Sequence, residues 1–239
     1  GGMGKSTLTI LAASWLRYVR GLNVLVVDCD FPQNSIVELR EREKKAVMKN
    51  DAYKLMLQRQ FERLQKKAYP VIRSTPENAE NDVQVFLASE SEPYDVVLYD
   101  LPGTMGTKGV IYTISLLNYL FIPMRADRLV MQSTLNFAQT VYDKFVENPA
   151  TNIQEVFLFW NMEDRRERTN IYTLYERILA TLDMKVYISR IQMRSKFSRE
   201  LADADGTVYR STLFRSDGTF LRESGMAALM DEICTTIGI

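Results

Sequence analysis

The stretch Gly1-Gly2-Met3-Gly4-Lys5-Ser6-Thr7 decides how this chain is organised, because an apolar-periodic segment follows it directly. Glycines let the backbone pass close to an anion and adopt a positive φ without steric cost. A helix that opens at such a loop adds free backbone N–H groups and the positive end of its dipole. Lys5 is placed to supply a charge to β- and γ-phosphates, and a hydroxyl such as that of Ser6 is a usual Mg²⁺ ligand. The stretch therefore predicts a phosphate-binding loop.

The segment after this loop predicts a helix that ends near Gly21. Its apolar residues recur at helical spacing, and they are Leu8, Leu11, Ala12, Trp15, Leu16 and Val19. A phosphate-binding loop normally follows a buried strand and carries one more glycine upstream, in the pattern G-x-x-x-x-G-K-[ST]. Both features would precede Gly1, so we expect the natural chain to begin further upstream.

Composition narrows the class of protein. The 239 residues predict a single domain over 1–239, and the apolar fraction of 46% is ordinary for a globular chain. A formal net charge of zero means that any nucleic-acid contact must use a local patch. Cys29 and Cys234 form neither a disulfide framework nor a metal motif, which suits a reducing cytoplasm. The chain has no histidine, which excludes Ser-His-Asp hydrolysis and His-ligated zinc in these residues.

Two buried strands are predicted to deliver carboxylates to the same place. Residues 23–28 form an apolar run that ends in Asp28, with Asp30 two positions later. Residues 94–99 form another such run, which is followed by Asp100 and a Pro-Gly turn. In open α/β sheets, ligands bind beyond the carboxyl ends of the strands. A carboxylate at this position holds the metal of a Mg²⁺·nucleotide site, usually through water. The alternative for Asp28 and Asp30 is that they cap a turn before Pro32.

The rest of the chain alternates strands with helices, which predicts an α/β fold with a mostly parallel sheet covered by helices on both faces. A charged helical segment covers about 35–67, starting at Ser35 as N-cap, and we expect it to present a solvated face. The further strands are predicted at 69–72, 119–123, 156–161 and 186–188, and the further helices at 76–87, 109–117, 128–146, 170–182 and 225–237.

These motifs resemble the ParA/MinD group of P-loop ATPases, the deviant Walker A family. Residues 1–7 match its K-G-G-x-G-K-[ST]-T loop, residues 28–34 are similar to its D-x-D-P-Q-x-N switch segment, and residues 95–103 match its D-x-x-x-x-D-x-P region. The likeness covers nearly the whole chain in the right order. More narrowly, the chain resembles the ParA-like proteins of Bacteroides-type conjugative elements.

The resemblance implies an ATP- and Mg²⁺-dependent dimer, an ATPase acting in partitioning or transfer of plasmid or mobile-element DNA. By position, residues 1–7 would bind nucleotide, with Lys5 on the β/γ-phosphates, Ser6 on the metal and Thr7 on the α-phosphate. Asp30 would orient the attacking water, Asp100 would hold the metal's water shell, and Asn161 would hydrogen-bond adenine. A ParB-like protein is the partner that the resemblance implies.

The sequence departs from the family pattern at two of its motifs, and the charged segment 38–67 has no close counterpart in the family. The signature lysine would precede Gly1, and Phe31 is inserted between Asp30 and Pro32. Both departures leave open a second reading, in which the protein binds ATP as an interaction switch and hydrolyses little without a partner. The chain also lacks the C-terminal tyrosine cluster of bacterial tyrosine kinases and the cluster cysteines of nitrogenase-reductase ATPases.

The sequence also bears on contacts with DNA and with membranes. Seven basic residues, which we call the C-terminal basic cluster, are candidates for nonspecific phosphate contacts, and they are Arg190, Arg194, Lys196, Arg199, Arg210, Arg215 and Arg222. A solvated surface explains them equally well. The terminal helix lacks the basic amphipathic character of a membrane anchor, so no membrane partner is expected.

Overall fold

The computed structural model describes residues 2–103, 106–164, 166, 170–201 and 206–239. The chain divides into two compact units. The first unit comprises Gly4–Val110 and Ser195–Phe220, and the second comprises Ile111–Arg194 and Leu221–Ile239 with residues 2 and 3.

Helices and strands alternate along the described residues, as the sequence predicts. The strands are β1 (Val24–Asp28), β2 (Val71–Arg73), β3 (Val96–Asp100), β4 (Tyr119–Met124), β5 (Glu155–Trp160) and β6 (Lys185–Val186). The helices are α1 (Lys5–Tyr18), α2 (Ser35–Lys49), α3 (Asp51–Leu64), α4 (Ala79–Ser89), α5 (Lys108–Leu116), α6 (Arg128–Val141), α7 (Asn170–Thr181), α8 (Gly218–Glu223) and α9 (Met226–Ile237). A π-helical turn at Tyr142–Val146 continues α6, and a 3-10 turn forms at Ser195–Ser198. The sequence patterns missed this 3-10 turn and α8, which are short.

The sheet of the first unit has the strand order β2-β1-β3, with both pairings parallel. All five residues of β1 are buried, which explains why its sequence is a continuous apolar run rather than an alternating one. The register pairs Asp28 with Asp100, so the two strand-ending carboxylates are neighbours. The parallel arrangement therefore brings the two acidic segments to one edge, as predicted.

Helix α1 packs against β1 and β3 through the apolar face that its periodicity predicts. Leu11 and Leu16 are buried on this face. A second cluster, centred on Leu25 and Val27, includes Cys29 and the buried face of α4. Cys29 and Cys234 are both buried free thiols.

The charged segment 35–67 is a pair of helices rather than one. The break comes at Asn50, whose Oδ1 accepts hydrogen bonds from the amides of Ala52 at 2.9 Å and Tyr53 at 3.4 Å, capping α3. The prediction of Ser35 as the N-cap of α2 is wrong, because the cap residue is Asn34.

The segment presents an exposed charged face, as predicted, and its other side is buried. Arg40 and Glu43 are buried, with 8% and 2% of their surfaces exposed. The apolar side of the helix pair packs on the later segment of the first unit, in a cluster that contains Val47, Leu213 and Phe214. The helix pair is therefore an integral part of the first unit's core.

The sheet of the second unit has the order β4-β5-β6, again with parallel pairs. Phe121 and Phe157 face each other in register and stack with Tyr187, with the Phe157 and Tyr187 ring centroids 4.9 Å apart. Strand β5 is buried along almost its whole length. No helix among the described residues is both long and apolar enough to cross a membrane.

Candidate nucleotide-binding site

The phosphate-loop residues lead into α1 with the backbone that their glycines allow. Gly2 and Gly4 have φ values of 97° and 69°, in the region that favours glycine. The amide of Leu8 bonds the Gly4 carbonyl at 2.9 Å, so the amides of Lys5, Ser6 and Thr7 belong to the first turn, where a helix supplies no acceptor. These donors suit an anion. Gly1, predicted to bind nucleotide, lies outside the described residues.

Lys5 lies against the Pro-Gly turn that follows β3. A Cβ atom built on Gly103 would be 3.1 Å from the Lys5 Nζ atom, so the ammonium group occupies the space that a side chain at residue 103 would need. The lysine of the loop and the end of β3 thus meet, as the sequence predicts.

Asp100 contacts the loop directly. Its carboxylate accepts a hydrogen bond from the Ser6 hydroxyl, and Thr9 Oγ1 lies 3.4 Å from its Oδ1. Asp100 is only 2% exposed, yet its Oδ2 atom is buried without a protein partner. A buried carboxylate oxygen rarely lacks a partner, because desolvating it is costly. This oxygen, which lies on the carboxylate that also accepts from the Ser6 hydroxyl, is able to accept a hydrogen bond from a metal-bound water.

The electrostatic environment of Asp100 also suits a bound metal ion. Burial is the main reason that the pKa of Asp100 is raised to about 6. The charges of Asp28 and Asp30 also raise it, whereas the Ser6 hydrogen bond and the Lys5 charge lower it. A cation that arrives beside this carboxylate would stabilise the ionised form. A metal ion bound here would therefore offset the cost of keeping the buried Asp100 carboxylate ionised.

Asp28 has a structural role. Its Oδ2 accepts hydrogen bonds from the amides of Ile36 and Val37, both at 3.0 Å, so it stabilises the first turn of α2. Burial raises the pKa of Asp28, while these backbone hydrogen bonds lower it. Asp28 therefore caps the start of α2, which lies beyond Pro32, and not only the turn before Pro32 that the alternative proposed.

Asp30 is held through its backbone. Its carbonyl accepts from the Asn34 amide at 2.9 Å, and its amide lies 3.4 Å from Asp28 Oδ1. Its charge acts on Asp100, as the raised pKa of that group indicates. Phe31, the residue that departs from the family pattern, is 63% exposed beside it.

Asn161 lies at the end of β5 in the second unit. Its Nδ2 donates to the Met3 carbonyl at 2.7 Å, and its Oδ1 accepts from the Met162 amide at 2.9 Å. The side chain, 4% exposed, therefore anchors the third residue of the loop. Its predicted contact with adenine stays a prediction.

The residues present fit Mg²⁺ bound together with a nucleotide. Among the described residues, no group of three His, Cys, Asp or Glu side chains could hold a metal ion alone. Ser6 and Asp100 offer a hydroxyl and a free carboxylate oxygen, and Mg²⁺ commonly completes its shell with water and phosphate oxygens. Ser6 and Asp100 would therefore hold the ion, and the predicted contribution of Asp30 stays a prediction.

Arg210 is a residue of the first unit that the sequence patterns did not connect with the loop. Its Nη1 donates to Thr7 Oγ1 at 3.2 Å, and its Nη2 pairs with Glu200 Oε1 at 2.9 Å. Arg210 follows Thr7 by 203 positions, so no local pattern could have indicated this contact.

Other members of the C-terminal basic cluster also have partners. Arg190 pairs with Glu163 and Glu176, and Arg194 donates to the Glu223 backbone at 2.9 Å. Lys196 and Arg199 lie over the Tyr209 ring, at 5.0 and 5.9 Å from its centroid. Arg199, Arg215 and Arg222 are exposed. The cluster therefore offers fewer free positive charges than its composition suggests.

Comparisons with solved structures define the class of fold. A plasmid partition protein from Borrelia burgdorferi matches with a TM-score of 0.57 and 18% identity, over 97% of this chain and 94% of that chain. The MinD cell division protein of Aquifex aeolicus matches with 0.57 and 16%, over 100% and 93%. The structure of pNOB8 ParA matches with 0.54 and 17%, over 100% and 96%. The fold is that of the ParA/MinD-type P-loop ATPases, as predicted.

The family follows from the sequence itself. The family model described as ATPase MipZ matches residues 1–151, which include the phosphate loop, Asp30 and Asp100. The chain belongs to this family of ATPases. A comparison with curated proteins finds no match.

Proposed function

We propose that this protein binds and hydrolyses ATP and acts as a nucleotide-dependent dimer in the partitioning or transfer of plasmid or mobile-element DNA. The observation that carries the proposal is the buried Asp100 carboxylate, bonded to Ser6, with one oxygen free of protein partners. Lys5 lies against the turn that follows the same strand. The family match supports the ATPase class.

Each residue has a distinct role in this proposal. The amides of the first turn and Lys5 bind the phosphates, with Thr7 at the α-phosphate, and Ser6 and Asp100 hold the metal and its water shell. Mg²⁺, when bound, supplies neutralisation of phosphate charge. Asp30 orients the attacking water, since phosphoryl transfer requires positioning more than covalent chemistry. Asn161 hydrogen-bonds the base.

Two substitutions test these roles. Lys5→Ala removes the charge at the β/γ-phosphates, and we expect it to abolish nucleotide binding or turnover. Asp30→Ala leaves the binding loop intact, and we expect normal ATP affinity with hydrolysis lost. Calorimetry for binding and phosphate release for turnover separate the two effects. Turnover at the wild-type rate in Asp30→Ala would reject its role.

A second candidate is a nucleotide-gated interaction protein that hydrolyses little without a partner. The observation that favours it is the exposed Phe31, which changes the spacing of the switch segment next to Asp30. Steady-state phosphate release with and without DNA distinguishes the candidates. Release that stays negligible in both conditions, with intact ATP binding, would support the second.

The proposed partners are a second copy of the chain, nonspecific DNA and a ParB-like activating protein. The exposed Arg199 and Arg215 support the DNA contact. We expect a salt-dependent mobility shift of duplex DNA with ATP that is lost with ADP. A link to a Bacteroides-type conjugative element stays part of the proposal, since it depends on resemblance alone.

A further inference from the structure

The contact between Arg210 and Thr7 places a second cation at the phosphate loop. Lys5 reaches the loop from the loop's own sequence, whereas Arg210 comes from the segment after the 3-10 turn. Thr7 belongs to the first turn of α1, whose amides have no helical acceptor. A guanidinium bonded to this hydroxyl is within reach of an anion that the same turn binds.

The donor groups of Arg210 are only partly used. One nitrogen donates to Thr7 and another pairs with Glu200, while Nε is buried without a protein partner. An unpaired buried donor is costly, and more so on a charged group. Guanidinium groups bind phosphate through two parallel hydrogen bonds, so a phosphate oxygen would satisfy what the protein leaves unpaired.

The segment that carries Arg210 is anchored to the helix that begins at the loop. The Thr212 carbonyl accepts from Tyr18 Oη at 2.8 Å and from Arg40 Nη2 at 3.0 Å. Tyr18 is the last residue of α1 and Thr7 is in its first turn. Arg210 is therefore held against α1 before any ligand arrives, which reduces the entropy that binding must overcome.

We infer that Arg210 is a nucleotide-phosphate ligand, acting beside Thr7 and independently of the metal. Glu200 tunes this role, because it neutralises part of the Arg210 charge and also pairs with Arg42 at 2.8 Å. The inference rests on the proposed function, since it assumes that the loop binds a nucleotide. It adds a residue far from the loop in sequence to the set that binds phosphate.

The test measures ADP binding to the full chain by calorimetry in EDTA, so that metal ligation makes no contribution. We expect Arg210→Gln to weaken ADP binding by about tenfold or more, as for the loss of a charged hydrogen bond. Affinity should also depend less on salt in this variant, because one screened attraction is gone. Thermal unfolding without nucleotide checks that the variant is folded.

The matched control is Arg215→Gln, which removes an exposed charge five positions away. Arg215 uses its backbone amide to bond Gln60, at 2.8 Å, so the substitution preserves this contact. ADP affinity should stay within about twofold of wild type, since an exposed charge contributes little. Equal affinities for Arg210→Gln and Arg215→Gln would overturn the inference.

Glu200→Gln tests the inference by an effect on ADP affinity that is opposite to that of Arg210→Gln. This test remains available if Arg210→Gln fails to fold. Removing the counter-charge leaves more positive charge at Arg210, so ADP should bind about two- to fivefold more tightly. A merely structural Arg210 would give unchanged or weaker binding, which would contradict us. Failure of the wild-type protein to bind ADP would instead reject the proposed function.

Discussion

At the scale of single residues, the environment of a carboxylate decides its role more than its type does. Asp28 and Asp100 occupy paired positions at the ends of adjacent parallel strands. Backbone amides at the start of α2 satisfy Asp28, whereas one oxygen of Asp100 has no protein partner. Asp28 therefore stabilises the fold, and Asp100 is free to serve a ligand.

The raised pKa of Asp100 leads to a prediction about pH and stability. In the folded protein the pKa of Asp100 is about 6, compared with an ordinary pKa of 3.8. Ionisation of Asp100 therefore costs more in the folded state than in the unfolded state. As the pH rises from 3.8 to about 6, this cost lowers the free energy of unfolding progressively. We expect Asp100→Asn, without metal or nucleotide, to be more stable than wild type at pH 7.5, with the difference shrinking towards pH 4.5. Thermal unfolding across this range measures it.

The control for this prediction is the same experiment with Mg²⁺ and ADP present. A cation beside Asp100 favours the ionised carboxylate, so the ligands should stabilise wild type more than Asp100→Asn. A stability difference that does not change with pH would show that the Asp100 charge is not coupled to folding.

At the scale of elements, capping residues set where helices begin and end. Asn50 divides the segment 35–67 into α2 and α3 by satisfying two amides of α3. Gly225 caps α9 with a φ of 82°. Such positions are weak signals in a sequence, because asparagine and glycine occur in many other settings.

Gly225 gives a prediction with an internal control. A Cβ atom at this position would lie 2.1 Å from the Arg190 backbone oxygen, so Gly225→Ala combines positive-φ strain with a clash against backbone. We expect a loss of unfolding free energy of more than about 3 kcal/mol. Gly238→Ala, with φ 76° and nothing within 4 Å, should lose only about 1 kcal/mol. Chemical denaturation compares them, and equal losses would contradict the clash.

At the scale of the whole molecule, a buried polar network joins distant parts of the first unit. Arg40 Nε donates to Thr212 Oγ1 at 2.7 Å, and Glu43 accepts from the Thr212 amide at 2.9 Å. Burial raises the pKa of Glu43, while its hydrogen bonds and the Arg40 charge lower it. The network anchors α2 to the segment that presents Arg210.

Removing one charge from this network should destabilise the protein strongly. Arg40→Leu leaves the Glu43 carboxylate buried without its nearby cation. The buried carbonyls of Tyr69 and Thr212 also lose the donor that Arg40 supplies. We therefore expect the free energy of unfolding to fall by about 3 kcal/mol or more. Arg42→Leu, in the same helix, breaks an exposed pair with Glu200 and should lose less than about 1 kcal/mol. Urea denaturation of both variants tests this, and similar losses would argue against the buried network.

Local patterns determined much of this protein from sequence alone. The helix that follows the glycine-rich stretch, the two strands that end in Asp28 and Asp100, and the alternation of strands and helices are all confirmed, because each depends on residues close in sequence. Only the tertiary structure decided which charges are buried and which residues meet the loop. Arg40 meets Thr212 across 172 positions and Arg210 meets Thr7 across 203, and such contacts depend on how the whole first unit packs. Periodicity carries no information about them.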